Sequence, residues 1–320
     1  MMKSYQMIKK FIPMPIKSKL SGFKKEIYSK RTYLKFQKSK KNLKMPDLSP
    51  KGKEWLSELT SNGFCKISRP DFLEVAERLE PNDNKDNLNK NYGQVSHMPD
   101  LSDDAGISNY WCSFRNLDIQ KILFDKELLA LIYNYAGGQL FYRQSPILER
   151  HYYNGSNLLS SNKKEWANLL HTDYHLQIVV FLLLSDITPE TTKTIYATGS
   201  NSRNFLLQNG KVDYPESAKI VSKSGYKLEQ LTGKKGDMII IDTGGFHAAE
   251  IIANTKRTVL TGVLNSGLPF LGYHEDLHDL SFKNETESFV IDTITNGKSG
   301  EFFNYTLGAD GNLSHGKVSR

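Results

Sequence analysis

Cysteine and long apolar runs are scarce in this 320-residue sequence. Its two cysteines, Cys65 and Cys112, form no CxxC pair, which argues against a disulfide framework or a zinc ribbon. We expect both thiols to be core residues, because free cysteine is among the most buried residue types. The longest apolar run, Ile178 to Leu184, has seven residues, whereas a membrane span needs about 20. The N-terminus also lacks the apolar core of a secretory signal, so a cytoplasmic setting is expected.

Acidic residues are nearly missing from the start of the chain. Residues 1–44 hold 14 Lys and Arg but only one acidic residue, whereas the rest holds 28 basic and 34 acidic residues. We therefore predict a basic extension over 1–45 and a single domain over 46–320. The extension could be solvated, or could contact an anionic membrane surface, where each basic residue contributes about 1 kcal/mol. A third alternative is nonspecific contact with the phosphates of nucleic acid, but specific nucleic-acid binding is not expected.

The apolar periodicity predicts helices first and strands afterwards. Helices are expected over 51–61, 70–79 and 119–136, with short strands at 64–68 and 110–115 and a long unstructured loop at 81–108. Further strands are expected at 139–153, 175–184, 193–197, 217–222, 226–230, 237–242, 246–252 and 257–264. Residues 265–320 stay unassigned. Many short strands after a group of helices favour a mainly β, double-sheet architecture with flanking α-helices.

The pattern His171-Thr-Asp173, followed by His247 and then by Arg257, carries the chemistry. Two imidazoles and one carboxylate are the set that caps one face of a non-haem Fe(II) ion and leaves positions open. Residues i and i+2 of a strand point to one face, so His171 and Asp173 can converge on one ion. His175 has the same parity and is a less favoured alternative ligand. His274 and His278 are interpreted as surface residues.

An arginine ten residues after the distal histidine suits the grip of a dicarboxylate, because its planar fork binds a carboxylate through two hydrogen bonds. If 253–255 form a three-residue hairpin loop, Ile251 pairs with Arg257. His247 and Arg257 would then share one face of one sheet, about 13 Å apart.

With HTD at 171–173, TGS at 198–200 and GDMIIIDTGGFHAAEIIANTKRTVL at 236–260, the sequence resembles the phytanoyl-CoA dioxygenase family of iron- and 2-oxoglutarate-dependent oxygenases over roughly residues 55–265. The resemblance implies a double-stranded β-helix (jelly-roll, cupin-like) core at about 139–266. It also implies Fe(II) ligation by His171, Asp173 and His247, and binding of the 2-oxoglutarate carboxylate by Arg257. Gln144 is a second candidate for contact with the co-substrate.

The same resemblance implies hydroxylation of a C–H bond in a small molecule, with O2 consumed and succinate and CO2 released. Asp173 favours hydroxylation over the halogenating relatives, which lack that carboxylate. The sequence departs from the family at 198–201 and in the insertion 154–168, and both departures concern the substrate pocket. Two alternatives remain: a catalytically silent jelly-roll that binds a ligand or partner, and a cupin-like metal enzyme that does not use 2-oxoglutarate.

Overall fold

The structure is a computed structural model. It describes residues 46–79, 96–97, 107–112, 116–136, 140–142, 146–152, 170–173, 177–201, 212–252, 254–266, 290–294, 302–307 and 313–318. Several features singled out in the sequence lie outside these ranges: the extension 1–45, most of the loop 81–108, Gln144, the insertion 154–168, His175, His274 and His278.

Two predicted helices and the strand between them are confirmed. Helix α1 spans Pro50–Asn62, strand β1 spans Phe64–Ser68 and helix α2 spans Pro70–Arg78. The Ser49 side chain accepts a hydrogen bond from the Gly52 N–H at the start of α1, and Gly63 ends it in the left-handed conformation (φ 85°). Both helices carry proline in the first turn, where the missing N–H has no intrahelical partner to lose.

The prediction of a single helix over 119–136 is wrong. The structure has two helices, α3 over Leu117–Leu123 and α4 over Lys126–Ala136. The break follows from Asp125, whose carboxylate accepts the Leu128 N–H at 2.8 Å and begins the second helix. The other oxygen of the same carboxylate accepts a hydrogen bond from Arg69 at 2.8 Å, which ties the break to the N-terminus of α2. The cap at Asp125 therefore divides the segment into two helices, although the apolar periodicity of the sequence continues across the break.

Antiparallel strands make up most of the rest. They are β2 (Ser96–His97), β3 (Ile107–Trp111), β4 (Leu140–Tyr142), β5 (Ile147–Tyr152), β6 (Gln177–Leu183), β7 (Lys193–Ala197), β8 (Leu228–Leu231), β9 (Asp237–Asp242), β10 (His247–Glu250), β11 (Lys256–Ser266), β12 (Val290–Ile294), β13 (Phe302–Leu307) and β14 (Leu313–Val318). The predicted strands at 193–197 and 237–242 match residue for residue.

Strand pairing shows the jelly-roll. Its eight consecutive segments are β5, the bridge residue His171, β6, β7, β8, β9, β10 and β11. Numbered one to eight, they pair in the order 1-8-3-6 in a large sheet and 2-7-4-5 in a small sheet, with every pair antiparallel. Two interleaved four-stranded sheets of this kind are the jelly-roll arrangement. The predicted fold class, mainly β with flanking helices, is confirmed.

Further strands extend the large sheet beyond this core. Strand β1 continues it next to β9, and β3 with its partner β2 continues it next to β5. The pair β2–β3 lies within or beside the loop 81–108, which was expected to lack secondary structure. Strands β12, β13 and β14 follow from β4 and belong to the C-terminal part that the sequence left unassigned.

The strand predicted at 217–222 is wrong, because a helix, α5, spans Glu216–Ser224. Its two buried residues, Ser217 and Val221, are four apart, which is helical spacing. The β-branched pair Ile220-Val221 favoured a strand, but only one of the two is fully buried. Gly225 ends the helix with φ 70°.

The strand predicted at 139–153 is two strands, β4 and β5, which flank Pro146. Proline cannot donate to a sheet ladder, so it marks the interruption. Both pieces pair with β11, β5 along Lys256–Thr261 and β4 along Leu264–Ser266.

The expected hairpin between β10 and β11 is also wrong. Strand β10 pairs with β7 in the small sheet, whereas β11 pairs with β5 and β6 in the large sheet, where Arg257 lies opposite His151. The chain crosses between the sheets in passing from β10 to β11. The buried Thr192 hydroxyl holds this crossover by accepting the Ile252 N–H at 3.0 Å. Thr255 also contributes, because its hydroxyl accepts the Thr192 N–H at 3.0 Å.

The two faces of β6 separate two cores. Ile178, Val180 and Leu182 pack with the helices, whereas Val179 and Leu183 pack with residues of both sheets inside the jelly-roll. A strand buried on both faces explains the continuous apolar run in the sequence. Cys65 and Cys112 are both buried, as predicted, and neither forms a disulfide. Among the described residues, no helix has the length and apolar character to cross a membrane.

Candidate metal centre

His171 and His247 face each other on neighbouring strand segments of the small sheet. Each backbone N–H donates to the other residue's carbonyl, at 3.0 and 2.9 Å. This reciprocal pair fixes the two Cα positions, and the imidazole centroids lie 4.4 Å apart. The pairing places the second segment of the jelly-roll against β10, so the sheet itself brings the two histidines together.

Asp173 completes the cluster from the same segment as His171. Its N–H donates to the Thr243 carbonyl at 2.7 Å, just before the turn that leads into β10. One carboxylate oxygen lies 3.9 Å from Nε2 of His171 and the other 3.7 Å from Nε2 of His247. One ligand atom from each of the three residues can be chosen so that all lie within 4.8 Å of one another. The predicted ligand set is therefore brought together.

Between His171 and Asp173, Thr172 points away as its position predicts. It is fully buried, and its hydroxyl accepts the Val212 N–H at 2.8 Å while its own N–H donates to the Val212 carbonyl. These bonds hold the HxD segment from its rear side. The alternation of directions along the segment then presents His171 and Asp173 on the opposite face.

The ring orientation of His247 is set by the connection after β9. Nδ1 of His247 lies 3.0 Å from the Gly245 carbonyl, which can only accept, so Nδ1 carries the proton and Nε2 is left for a metal. Gly245 itself lies against Tyr196, because a Cβ there would come within 1.9 Å of the tyrosine oxygen. Glycine is needed for this close approach.

Tyr196 is fully buried and donates to the Asp242 carbonyl at 2.7 Å. Burial raises the pKa of Tyr196 well above its usual value, and the nearby Asp242 adds to the shift, so the hydroxyl stays a donor. The TGS motif contributes Ser200, whose hydroxyl accepts the Phe246 N–H at 2.8 Å. Together these contacts fix the turn that delivers His247.

Gln177, which was not predicted as a site residue, contacts Asp173 directly. Its side-chain amide donates to Asp173 at 2.9 Å, and its backbone carbonyl accepts the Thr243 N–H and hydroxyl at 3.0 and 3.1 Å. A polar residue at the first position of a strand buried on both faces was the available signal. It is only 6% exposed.

Arg257 lies across the interior on the large sheet. It shares its strand parity with Val259 and Val263, which belong to the interior core, and is only 4% exposed. Its guanidinium carbon lies 5.1 Å from the centroid of the Phe181 ring. Phe181 is four residues along β6 from Gln177, or roughly 13 Å. Arg257 therefore lies on the large sheet and the two histidines of the cluster lie on the small sheet. The expected hairpin would have placed His247 and Arg257 on the same sheet.

Comparisons with known proteins give structural matches only. HygX from Streptomyces hygroscopicus, solved with nickel and 2-oxoglutarate, is 14% identical with a TM-score of 0.46, and the match covers 75% of this chain and 93% of that one. EctD from S. alaskensis, solved with 2-oxoglutarate and 5-hydroxyectoine, is 13% identical with a TM-score of 0.43 over 68% and 76% of the two chains. The non-heme alpha ketoglutarate dependent epimerase SnoN is 12% identical with a TM-score of 0.42 over 67% and 82%.

No protein-family model matches the sequence, and no curated protein sequence does either. The structural likenesses are distant, so the function rests on the donor set itself. Two imidazoles and a carboxylate suit a divalent ion such as Fe(II), and they leave about half of an octahedral shell open. Neutral imidazoles and one carboxylate also leave a bound divalent ion with a net positive charge, which favours an anionic co-ligand.

Proposed function

We propose that the protein is an Fe(II)- and 2-oxoglutarate-dependent dioxygenase that hydroxylates a C–H bond of a small-molecule substrate. The observation that supports this most is the convergence of His171, Asp173 and His247 within 4.8 Å at the edge of the jelly-roll interior. When bound, Fe(II), 2-oxoglutarate and O2 supply the oxidising chemistry, and the co-substrate leaves as succinate and CO2.

Each site residue has a defined task in this proposal. His171 and His247 would hold the ion through Nε2 and Asp173 through one oxygen, a donor set that leaves positions open for the co-substrate and O2. Arg257 binds the distal carboxylate of 2-oxoglutarate. A buried guanidinium is suited to this, because its fork offers two parallel donors and its charge is little screened between the sheets.

The interior between the sheets separates the co-substrate from bulk water. Val179, Leu183, Ile239 and Val259 form its apolar wall, and Phe181 supports the arginine. Excluding water strengthens the interaction between Arg257 and a carboxylate. The resemblance of the sequence to the phytanoyl-CoA dioxygenase family supports the same assignment. Gln144 as a further co-substrate contact and a cytoplasmic location stay predictions.

An anaerobic titration tests the proposal. Fe(II) and then 2-oxoglutarate are added to the wild type, Asp173→Ala, Arg257→Gln and the control Asp186→Ala, and the visible spectrum is recorded. Asp186 is an exposed turn residue that accepts the Lys235 N–H, so its loss leaves the interior unchanged. We expect a charge-transfer band that needs both additions in the wild type and the control. Asp173→Ala should lack it, and Arg257→Gln should need much more 2-oxoglutarate.

The other outcomes separate the alternatives. Iron binding without a 2-oxoglutarate response would favour a cupin-like metal enzyme that does not use this co-substrate. No iron binding in the wild type would favour a catalytically silent jelly-roll. Where the band appears, succinate release across a panel of small molecules identifies the substrate, and the product's mass shows whether one oxygen atom has been added.

A further inference from the structure

A closed set of hydrogen bonds joins Asp173 to the first residue of β6. The Asp173 N–H donates to the Thr243 carbonyl at 2.7 Å, and the Thr243 N–H donates to the Gln177 carbonyl at 3.0 Å. The Gln177 amide then returns to the Asp173 carboxylate at 2.9 Å. The segment of Asp173, the start of β6 and the turn after β9 are therefore joined by hydrogen bonds around one carboxylate.

The orientation of the Gln177 amide is determined by its partner. A carboxylate accepts hydrogen bonds and does not donate, so the amide must present its nitrogen to Asp173. The bond goes to Oδ2, which also lies 3.7 Å from Nε2 of His247, whereas Oδ1 lies 3.9 Å from Nε2 of His171 and receives no hydrogen bond from this amide. This hydrogen bond makes the two oxygens unequal, because the amide competes with an ion for the lone pairs of Oδ2 only.

The base of the Gln177 side chain is also fixed. Its carbonyl accepts both the N–H and the hydroxyl of Thr243, and the neighbouring Ile178 is in register with Asp242 on β9. Gln177 is 6% exposed, so water does not compete freely for its amide. A donor on a rigid strand, aimed at a ligand oxygen, can set the direction of that ligand.

We infer that Gln177 is a positioning residue that holds Asp173 so that it binds the metal through one oxygen. It does not touch the ion. This inference rests on the proposed metal site, but it does not depend on the substrate or on 2-oxoglutarate. If Asp173 bound the metal through both oxygens, the second oxygen would occupy a further coordination position. Gln177 thereby keeps that position open.

The test measures binding of Ni(II) alone by calorimetry, with the full chain and without turnover. Gln177→Met keeps the length of the side chain and removes its donor. The matched control is Gln120→Met, because Gln120 has the same 6% exposure but lies on helix α3 in the other core. Gln177→Asn is a second variant that keeps an amide but is too short to reach Asp173.

We expect Gln177→Met to weaken Ni(II) binding about 10- to 100-fold, the usual effect of losing a group that orients a metal ligand. Gln177→Asn should weaken it in the same direction, and Gln120→Met should bind within about twofold of the wild type. With Co(II), the visible spectrum of Gln177→Met should differ in shape from that of the wild type, because the carboxylate binds differently. A loss of fold stability alone would not change that shape.

Three results would overturn the inference, and they are distinguishable. Equal Ni(II) affinity in Gln177→Met, Gln177→Asn and the wild type would show that Asp173 needs no such support. Equal weakening in Gln120→Met would show a general loss of stability. No binding of Ni(II) or Co(II) by the wild type would remove the metal site itself, and the proposed function with it.

Discussion

At the scale of single residues, the small space around Gly245 decides how His247 is presented. The Gly245 carbonyl orients the His247 ring, and the Gly245 Cα lies against the Tyr196 hydroxyl. Tyr196 is in turn fixed by its bond to the Asp242 carbonyl. The spacing of the histidine and arginine is readable in the sequence, but this packing is not, because Tyr196 lies 49 positions before Gly245 on another strand.

Gly245→Ala should therefore damage the metal site as well as the fold. The new Cβ would lie 1.9 Å from the Tyr196 oxygen, so the turn must move. Overpacking of this kind costs about 1–3 kcal/mol, and the moved carbonyl would release the His247 ring. We expect a lower urea midpoint together with weaker Ni(II) binding. The control is Gly225→Ala, where no atom lies within 4 Å and only the left-handed backbone is strained. Unchanged Ni(II) affinity in Gly245→Ala would contradict the role of this turn.

Because Cys65 is buried, the stability of the protein against unfolding should depend on pH in the alkaline range. Burial raises the pKa of the Cys65 thiol well above its usual range. The unfolded thiol ionises near pH 8.5, whereas the folded thiol stays protonated, so the folded state binds more protons and stability falls as pH rises. The contribution is complete below pH 8.5 and is lost at up to about 1.4 kcal/mol per pH unit above it.

Cys65→Ala should reduce this slope. Urea unfolding measured between pH 8 and 9.5 should show a smaller loss of stability in the variant than in the wild type, even though the variant starts from a lower stability. In the native wild type at pH 8, a thiol reagent should modify Cys65 no faster than the protein unfolds. Rapid modification under native conditions would show that the thiol is accessible, against its 1% exposure.

At the scale of helices and strands, the sequence predicts elements well where burial and periodicity agree. Strand β6 is buried on both faces, and β9 is buried along most of its length, so both appear as apolar runs. Prediction failed where a local contact decides. Asp125 divides one apolar periodicity into two helices, and the buried pair Ser217 and Val221 make a helix of a segment with β-branched residues.

The hairpin error at 253–255 has a different cause. A short turn between two strands predicts direct pairing, but the jelly-roll topology places β10 in the small sheet and β11 in the large sheet. The candidate set of His171, Asp173 and His247 could be proposed from residue types and, for the first two, from their i, i+2 spacing. The position of Arg257 across the interior was not, because it depends on which sheet receives β11.

The crossover between β10 and β11 supports a separate prediction about the two halves of the site. Thr192 is fully buried, and its hydroxyl accepts the Ile252 N–H. Thr192→Val leaves that donor without its acceptor, at a cost of about 1–3 kcal/mol. His247 precedes the crossover and Arg257 follows it. We therefore expect weaker 2-oxoglutarate binding with little change in Ni(II) affinity.

The matched control for this change is Thr191→Val. Thr191 is the neighbouring residue, is only half-buried, and forms its side-chain hydrogen bonds within its own turn, with Thr188. Both affinities should stay near those of the wild type in this variant. Calorimetry with Ni(II), followed by 2-oxoglutarate, gives the two values for each protein. Equal losses of both affinities in Thr192→Val would mean that the crossover supports the metal ligands as well.

At the scale of the whole molecule, charge and chemistry belong to different parts of the chain. The four residues that carry the proposed reaction lie between 171 and 257, whereas the positive charge is concentrated in residues 1–44. Without those residues, the net charge changes from +7 to −6, because the remainder has 28 basic and 34 acidic residues. The division into a basic extension and one domain is a prediction that a truncation can test.

A chain that begins at residue 46 should keep both its fold and its metal site. Every described jelly-roll pair and helix lies after that point, so we expect a single cooperative unfolding transition with a midpoint near that of the full chain. Its Ni(II) affinity should match within about twofold. Any binding of the full chain to anionic vesicles should disappear in the truncated chain and weaken in high salt, since exposed charges are screened over about 10 Å at 0.1 M ionic strength. Loss of cooperative unfolding would instead make residues 1–45 part of the folded domain. The negative net charge of the remainder would then be balanced by the positive charge of residues 1–45 within one structural unit.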